Sequence, residues 1–110
     1  MARHKNFAKL KGDRIERELV HAHIEAGIHC ERFDARRGQF GAEASRDIDV
    51  YWRGKDEAPL CGEVKARKEF PAWLVNWLGE NDFLALRENG KEPLYIVPHN
   101  VWIRILQNDS

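Results

Sequence analysis

In "GDRIERELVHAHIEAGI" the apolar positions Ile15, Leu19, Ala22 and Ala26 return at the spacing that lays one stripe along a helix, and Gly27 supplies a stop. A helix is expected there. Alternation then replaces that period, and "IHCERF" reads as a short strand. The stretch "DARRGQFGAEAS" has the glycines and small polar residues of an exposed loop, of a length that is often functional. Two further strands, "DIDVYW" and "LCGEVKA", are joined by the polar turn "RGKDEAP". "PAWLVNWL" starts on a proline suited to a first helical turn and ends before Gly79. In "DFLALRENGKEPLYIVP", Asn89-Gly90 offers the positive backbone angles of a tight hairpin turn, and "HNVWIRILQ" closes as a helix capped by Asn100. The expected order is helix, three strands, helix, two strands, helix, with no internal repeat.

Composition narrows this picture. A chain of 110 residues with 43% hydrophobic and 33% charged residues suits one ion-rich globular domain. Residues 1–10 are expected as a flexible basic tail. The absence of a long apolar run, and of a hydrophobic stretch in "MARHKNFAKLKG", predicts a cytoplasmic protein with no membrane partner. Cys30 and Cys61 fit no paired-cysteine pattern and read as small buried apolar residues. "HAH" at His21 to His23 lacks the HExxH spacing of a zinc helix and reads as a solvated helix face. Net charge is zero, which argues against a general polyanion binder. The charges are nevertheless clustered. Lys11 and Arg14 lie in a basic N-terminal segment, Arg36 and Arg37 in the loop, and Arg67 and Lys68 after the third strand, where they suit phosphate contacts.

Strand geometry sorts the acidic residues. Asp47, Asp49 and Tyr51 share one face of their strand, and Cys61, Glu63 and Lys65 share one face of the next. A hairpin turning about Asp56 sets Asp49 opposite Glu63 and Asp47 opposite Lys65. Opposed carboxylates call for a cation between them. Magnesium takes one or two protein carboxylates and fills its other positions with water and phosphate oxygens, so Asp49 and Glu63 suit it, with manganese as a substitute. Lys65 then serves the attacking water or the charge growing on phosphate. Cross-strand ion pairs on the wet face of a sheet are the other account of the same spacing.

Asp49 followed by Glu63-Val64-Lys65 resembles the PD-(D/E)XK nuclease signature. "KGDRIERELV", Lys11 to Val20, resembles the KGxxxERELV opening of archaeal-type Holliday junction resolvases, members of that superfamily. The likeness covers roughly residues 9 to 70, and the C-terminal part looks more like small phage nuclease-like proteins. It implies an α/β restriction-endonuclease-like core, a mixed central sheet of about five strands flanked by helices.

It also implies a metal-dependent endodeoxyribonuclease that cuts four-way junctions in DNA recombination and repair. Such an enzyme acts as a homodimer, since the junction has two-fold symmetry. By motif position Glu16 joins Asp49, Glu63 and Lys65 in the catalytic set and joins Asp49 and Glu63 as a metal ligand. Asp13-Arg14-Ile15-Glu16 also fits a helix-start pattern in which Glu16 reaches back to a backbone N–H. Asp47 competes with Asp49 for the metal, and Ser45 stands where some relatives place a serine. Two other functions fit the same residues: a phage-type endonuclease for flap or duplex DNA, and a binding module that has lost catalysis. Trp73 and Trp77, one helical turn apart, are expected in a core or an interface.

Overall fold

The computed structural model describes residues 2–33 and 47–108, with side chains described from Gly12 onward. The chain divides into two compact units, Met1–Ala66 and Arg67–Asn108. In the first, α1 spans Ala2–Glu25, followed by β1 His29–Arg32, β2 Ile48–Tyr51 and β3 Leu60–Gly62. The basic segment expected as a tail is therefore helical in its backbone from Ala2. Alanine, lysine and arginine are strong helix formers, and nothing before Gly12 interrupts them. The other end closes as expected. Gly27 takes φ +84°, and Ile28 N–H reaches back to His23 O at 2.9 Å, the left-handed cap that satisfies a terminal carbonyl.

The three strands form an antiparallel sheet in the order β1-β2-β3. Cys30 pairs with Val50 and Arg32 with Ile48, which puts Cys30, Arg32, Ile48 and Val50 on one face. This is the face toward α1, because the Arg32 side chain reaches α1 residues Asp13 and Glu16. Ile28, Cys30, Ile48 and Val50 are buried and form the core of this unit. His23, at 3% exposure, is buried too, contrary to the solvated reading of the HAH stretch. Its Nδ1–H donates to Leu19 O at 2.6 Å, one turn back, which satisfies the ring on the apolar side of the helix. His21 keeps the expected exposure, its Nε2 2.9 Å from Glu25 Oε1.

In the second unit α2 spans Ala72–Leu78, β4 Leu84–Leu86, β5 Leu94–Ile96 and α3 His99–Gln107. Strands β4 and β5 pair antiparallel with Leu86 opposite Leu94, so the connection is longer than a two-residue turn. Gly90 alone takes positive φ, at +78°, and Lys91 N–H bonds to Glu88 O. Pro98, in extended conformation, precedes α3, so Asn100 lies inside the helix rather than capping it. Among the described residues, the strands make two antiparallel sheets of three and two, where one mixed sheet of five was expected. Element order and mixed α/β class agree with the sequence. No helix among the described residues is long and apolar enough to cross a membrane.

The two cysteines, both expected in the core, part company. Cys30 is buried, whereas Cys61 is exposed on β3, an edge strand, on the face away from α1. Burial pushes the Cys30 thiol from an ordinary value near 9 up to about 11, and the Asp49 charge adds to the rise. The folded state thus holds a proton that the unfolded chain releases first. Stability from this group is complete below pH 9 and is lost as pH rises toward 11. A disulfide-forming thiol reagent should label Cys61 in the native protein and Cys30 only after unfolding. Cys30→Ala should flatten the alkaline fall of stability seen in urea titrations between those pH values.

Candidate functional site

The β2–β3 junction is organised by one residue at the start of β2. Asp47 accepts the Phe33 N–H at its carbonyl (2.9 Å), donates its own N–H to Gly62 O (2.8 Å) and accepts the Val64 N–H on Oδ2 (2.6 Å). One residue thereby ties the chain before β2 to both neighbouring strands. The last bond also ends β3. With Val64 N–H satisfied by a side chain, the ladder stops at Gly62 instead of running to Ala66 as expected.

The register differs from the one anticipated. Asp49 pairs with Cys61 and Ile48 with Gly62, a shift of two residues that leaves every side chain on its expected face. The turn closes early because Gly54, at φ +105°, donates its N–H to Tyr51 O. Asp49 consequently does not face Glu63, nor Asp47 Lys65. A carboxylate does oppose Asp49, but from the other side: Glu31 on β1 is its partner across the strands. His29 Nε2 stands 2.7 Å from Glu31 Oε2 and offsets that like-charge pair when protonated. Asp49 is buried at 5% exposure in the central strand.

Beyond β3 the residues of the Glu-x-Lys motif remain together. Lys65 Nζ lies 3.3 Å from Glu63 Oε1, both side chains well exposed, so the ion pair is worth a few tenths of a kcal/mol to about 1 kcal/mol. Lys65 thus stays open to an anion and Glu63 to a cation. Glu16 has a different partner. Arg32 Nη2 bridges Asp13 Oδ1 at 3.0 Å and Glu16 Oε1 at 3.1 Å, with Arg32 Nε also donating to Glu16 at 3.2 Å. This clasp fastens α1 to β1 and takes Glu16 up on the α1 face of the sheet, whereas Asp49 and Cys61 share the other. Neither Arg32 nor Glu31 stood out in the sequence. An arginine two residues from buried Cys30, with Asp13 and Glu16 one helical turn apart, is the pattern that points to the clasp.

Among the predicted phosphate contacts, Arg14 is exposed with Nε 3.8 Å from Glu18 Oε1, and Arg67 and Lys68 are exposed at the start of the second unit. Lys11 lies on the backbone of α1. Arg36, Arg37 and Ser45 lie outside the described residues. No group of three or more histidine, cysteine, aspartate or glutamate side chains converges among the described residues. Comparison with known protein families, with curated proteins and with solved structures found no match.

The bonds made by Asp47 give it a structural role that asparagine can imitate, because the amide oxygen also accepts from Val64 N–H. Asp47→Ala should cost about 1–3 kcal/mol in urea unfolding. Asp47→Asn should retain most of that stability.

Proposed function

We propose that this chain is a metal-dependent endodeoxyribonuclease that hydrolyses phosphodiesters at four-way DNA junctions, built on the restriction-endonuclease-like core that its motifs resemble. The observation that carries the reading is the exposed Glu63–Lys65 pair, 3.3 Å apart, held beside β2 by the Asp47–Val64 bond. A carboxylate and an ammonium in contact at a strand end provide a cation ligand and a phosphate-facing positive charge in one place.

The donor set fits magnesium. Asp49, Glu63 and Glu31 offer carboxylate oxygens, and magnesium asks for only one or two of them from the protein. Asp49 and Glu63 would hold the ion, with Glu31 opposite Asp49 as a further donor. Bound there, magnesium supplies Lewis-acid polarisation of the phosphate and a lowered pKa for attacking water. Lys65 neutralises charge that grows on the phosphate oxygens, and Asp47 keeps Glu63 in position without being a ligand. Glu16, assigned to the active site by resemblance, acts in this reading through Arg32 and the placement of α1. Arg14, Arg67 and Lys68, with Lys11, Arg36 and Arg37, bind the DNA backbone. Two copies, one for each strand cut, match the symmetry of the junction.

The engaged Glu16 side chain favours one second reading, a binding module on the same scaffold that has lost catalysis. Cleavage of a labelled four-way junction in magnesium separates the two. Paired nicks should appear with the wild type, vanish with chelator, and fall about 100-fold or more in Glu63→Ala, Asp49→Asn and Lys65→Ala. Asp47→Asn should still cut. Junction binding without cleavage by any form favours the binding module, and loss of cutting in a folded Asp47→Asn makes Asp47 a ligand.

A further inference from the structure

Among the described residues of the second unit Leu106 alone is buried, and α2 buries none of its seven. Leu74 and Leu78, one turn apart, are the half-buried residues of that helix, and its two tryptophans stay in water. Trp73 is 44% exposed and Trp77 58%, so neither is the core residue that the sequence allowed. Large aromatic side chains are among the most favourable to bury, and two left outside side by side mark a surface that a ligand covers.

The pair is ordered before any ligand arrives. The ring centroids of Trp73 and Trp77 lie 5.2 Å apart, with the planes tilted by 59°. That approach leaves no room for a flat group between the rings, so a ligand stacks on the outward face of either indole. The helix itself, "AWLVNWL", has no ionisable side chain. Only Glu69, Phe70 and Pro71 separate it from Arg67 and Lys68, both exposed, and Glu69 is the one carboxylate from Arg67 to Leu78. Flat apolar faces next to two cations fit a nucleic-acid strand with unpaired bases: the bases stack, and the phosphates meet Arg67 and Lys68. Bases inside a continuous duplex are stacked on one another and have no face to offer.

We propose that the Trp73–Trp77 pair is a stacking surface for the bases of single-stranded DNA. The choice of DNA rests on the function proposed above, since a branch point exposes bases that a continuous duplex hides. The stacking itself needs neither a metal nor the carboxylates of the first unit. With two cations to meet phosphates, stacking supplies most of the affinity, and salt weakens it only modestly. At about −0.7 in log affinity per log salt for each phosphate met on a single strand, two contacts lose about sevenfold between roughly 50 and roughly 200 mM salt.

Titration of the full chain with oligothymidylate in excess chelator, followed by tryptophan fluorescence, tests this. A base stacked on an indole quenches its emission, so saturable quenching is expected with oligothymidylate and not with an abasic strand of the same length and charge. Trp73→Leu and Trp77→Leu, each with unchanged circular dichroism, should weaken binding about 5-fold or more, as expected for the loss of one stacked base. Should either variant unfold, the salt series on the wild type decides, and a loss near sevenfold supports stacking. Equal binding of the abasic strand, no binding of oligothymidylate, a salt loss of about 100-fold or more, or a folded Trp77→Leu that binds as tightly as the wild type overturns it. Because chelator is present throughout, the result is separate from junction cutting in magnesium, and either can fail without the other.

Discussion

Three hydrogen bonds made by Asp47 fix the relation between the strands of the first unit. Its backbone reaches β3 and the end of β1, and its carboxylate stops β3 by taking the Val64 N–H. Without them the segment carrying Glu63 and Lys65 has no described tie to the sheet. A single short polar side chain thereby sets where the strand ends and where its charges stand, because a buried or half-buried backbone donor must find an acceptor. The position of Glu63 just past the edge strand follows from that bond, while pairing with β1 and β3 places Asp49 in the central strand.

The clasp around Arg32 does for α1 what Asp47 does for β3. A guanidinium with two carboxylate partners on the helix fastens one face of the sheet to α1 through directional bonds, beside the apolar contact of Ile28, Cys30, Ile48 and Val50. It also changes the meaning of a motif. Glu16 resembles a catalytic glutamate by its place in "KGDRIERELV", yet its described partner is an arginine on β1. Under the proposed function it acts on the other face only through the seating of the helix.

Much of the fold was legible because local signals and tertiary structure agree. The stripe of Ile15, Leu19 and Ala22, the stop at Gly27 and the alternation in "DIDVYW" each led to the element found. What escaped depends on pairing between distant residues. A symmetric count about Asp56 sets the β2–β3 register two residues away from the one found, because the Gly54 angle that draws the turn early is invisible to it. Glu31 opposite Asp49 was missed because the β1 pairing spans the long 34–46 connection. Cys61 was misjudged for a related reason: whether a strand residue is covered depends on what lies beyond the edge, and β3 is an edge. Of the candidate site, the Glu63–Lys65 contact was readable from the motif. The structural role of Asp47 emerges only from its hydrogen bonds.

In the proposed site Asp49 and Glu63 hold a hard divalent cation while Asp47 holds the backbone. The most direct measurement is a manganese titration of the ¹⁵N-labelled protein, following which amide signals the paramagnetic ion broadens. Early, selective broadening is expected around Asp49 and Glu63, reversed by excess magnesium, retained in Asp47→Asn and lost in Asp49→Asn. Broadening spread evenly over the exposed acidic residues, or centred elsewhere in the chain, contradicts it.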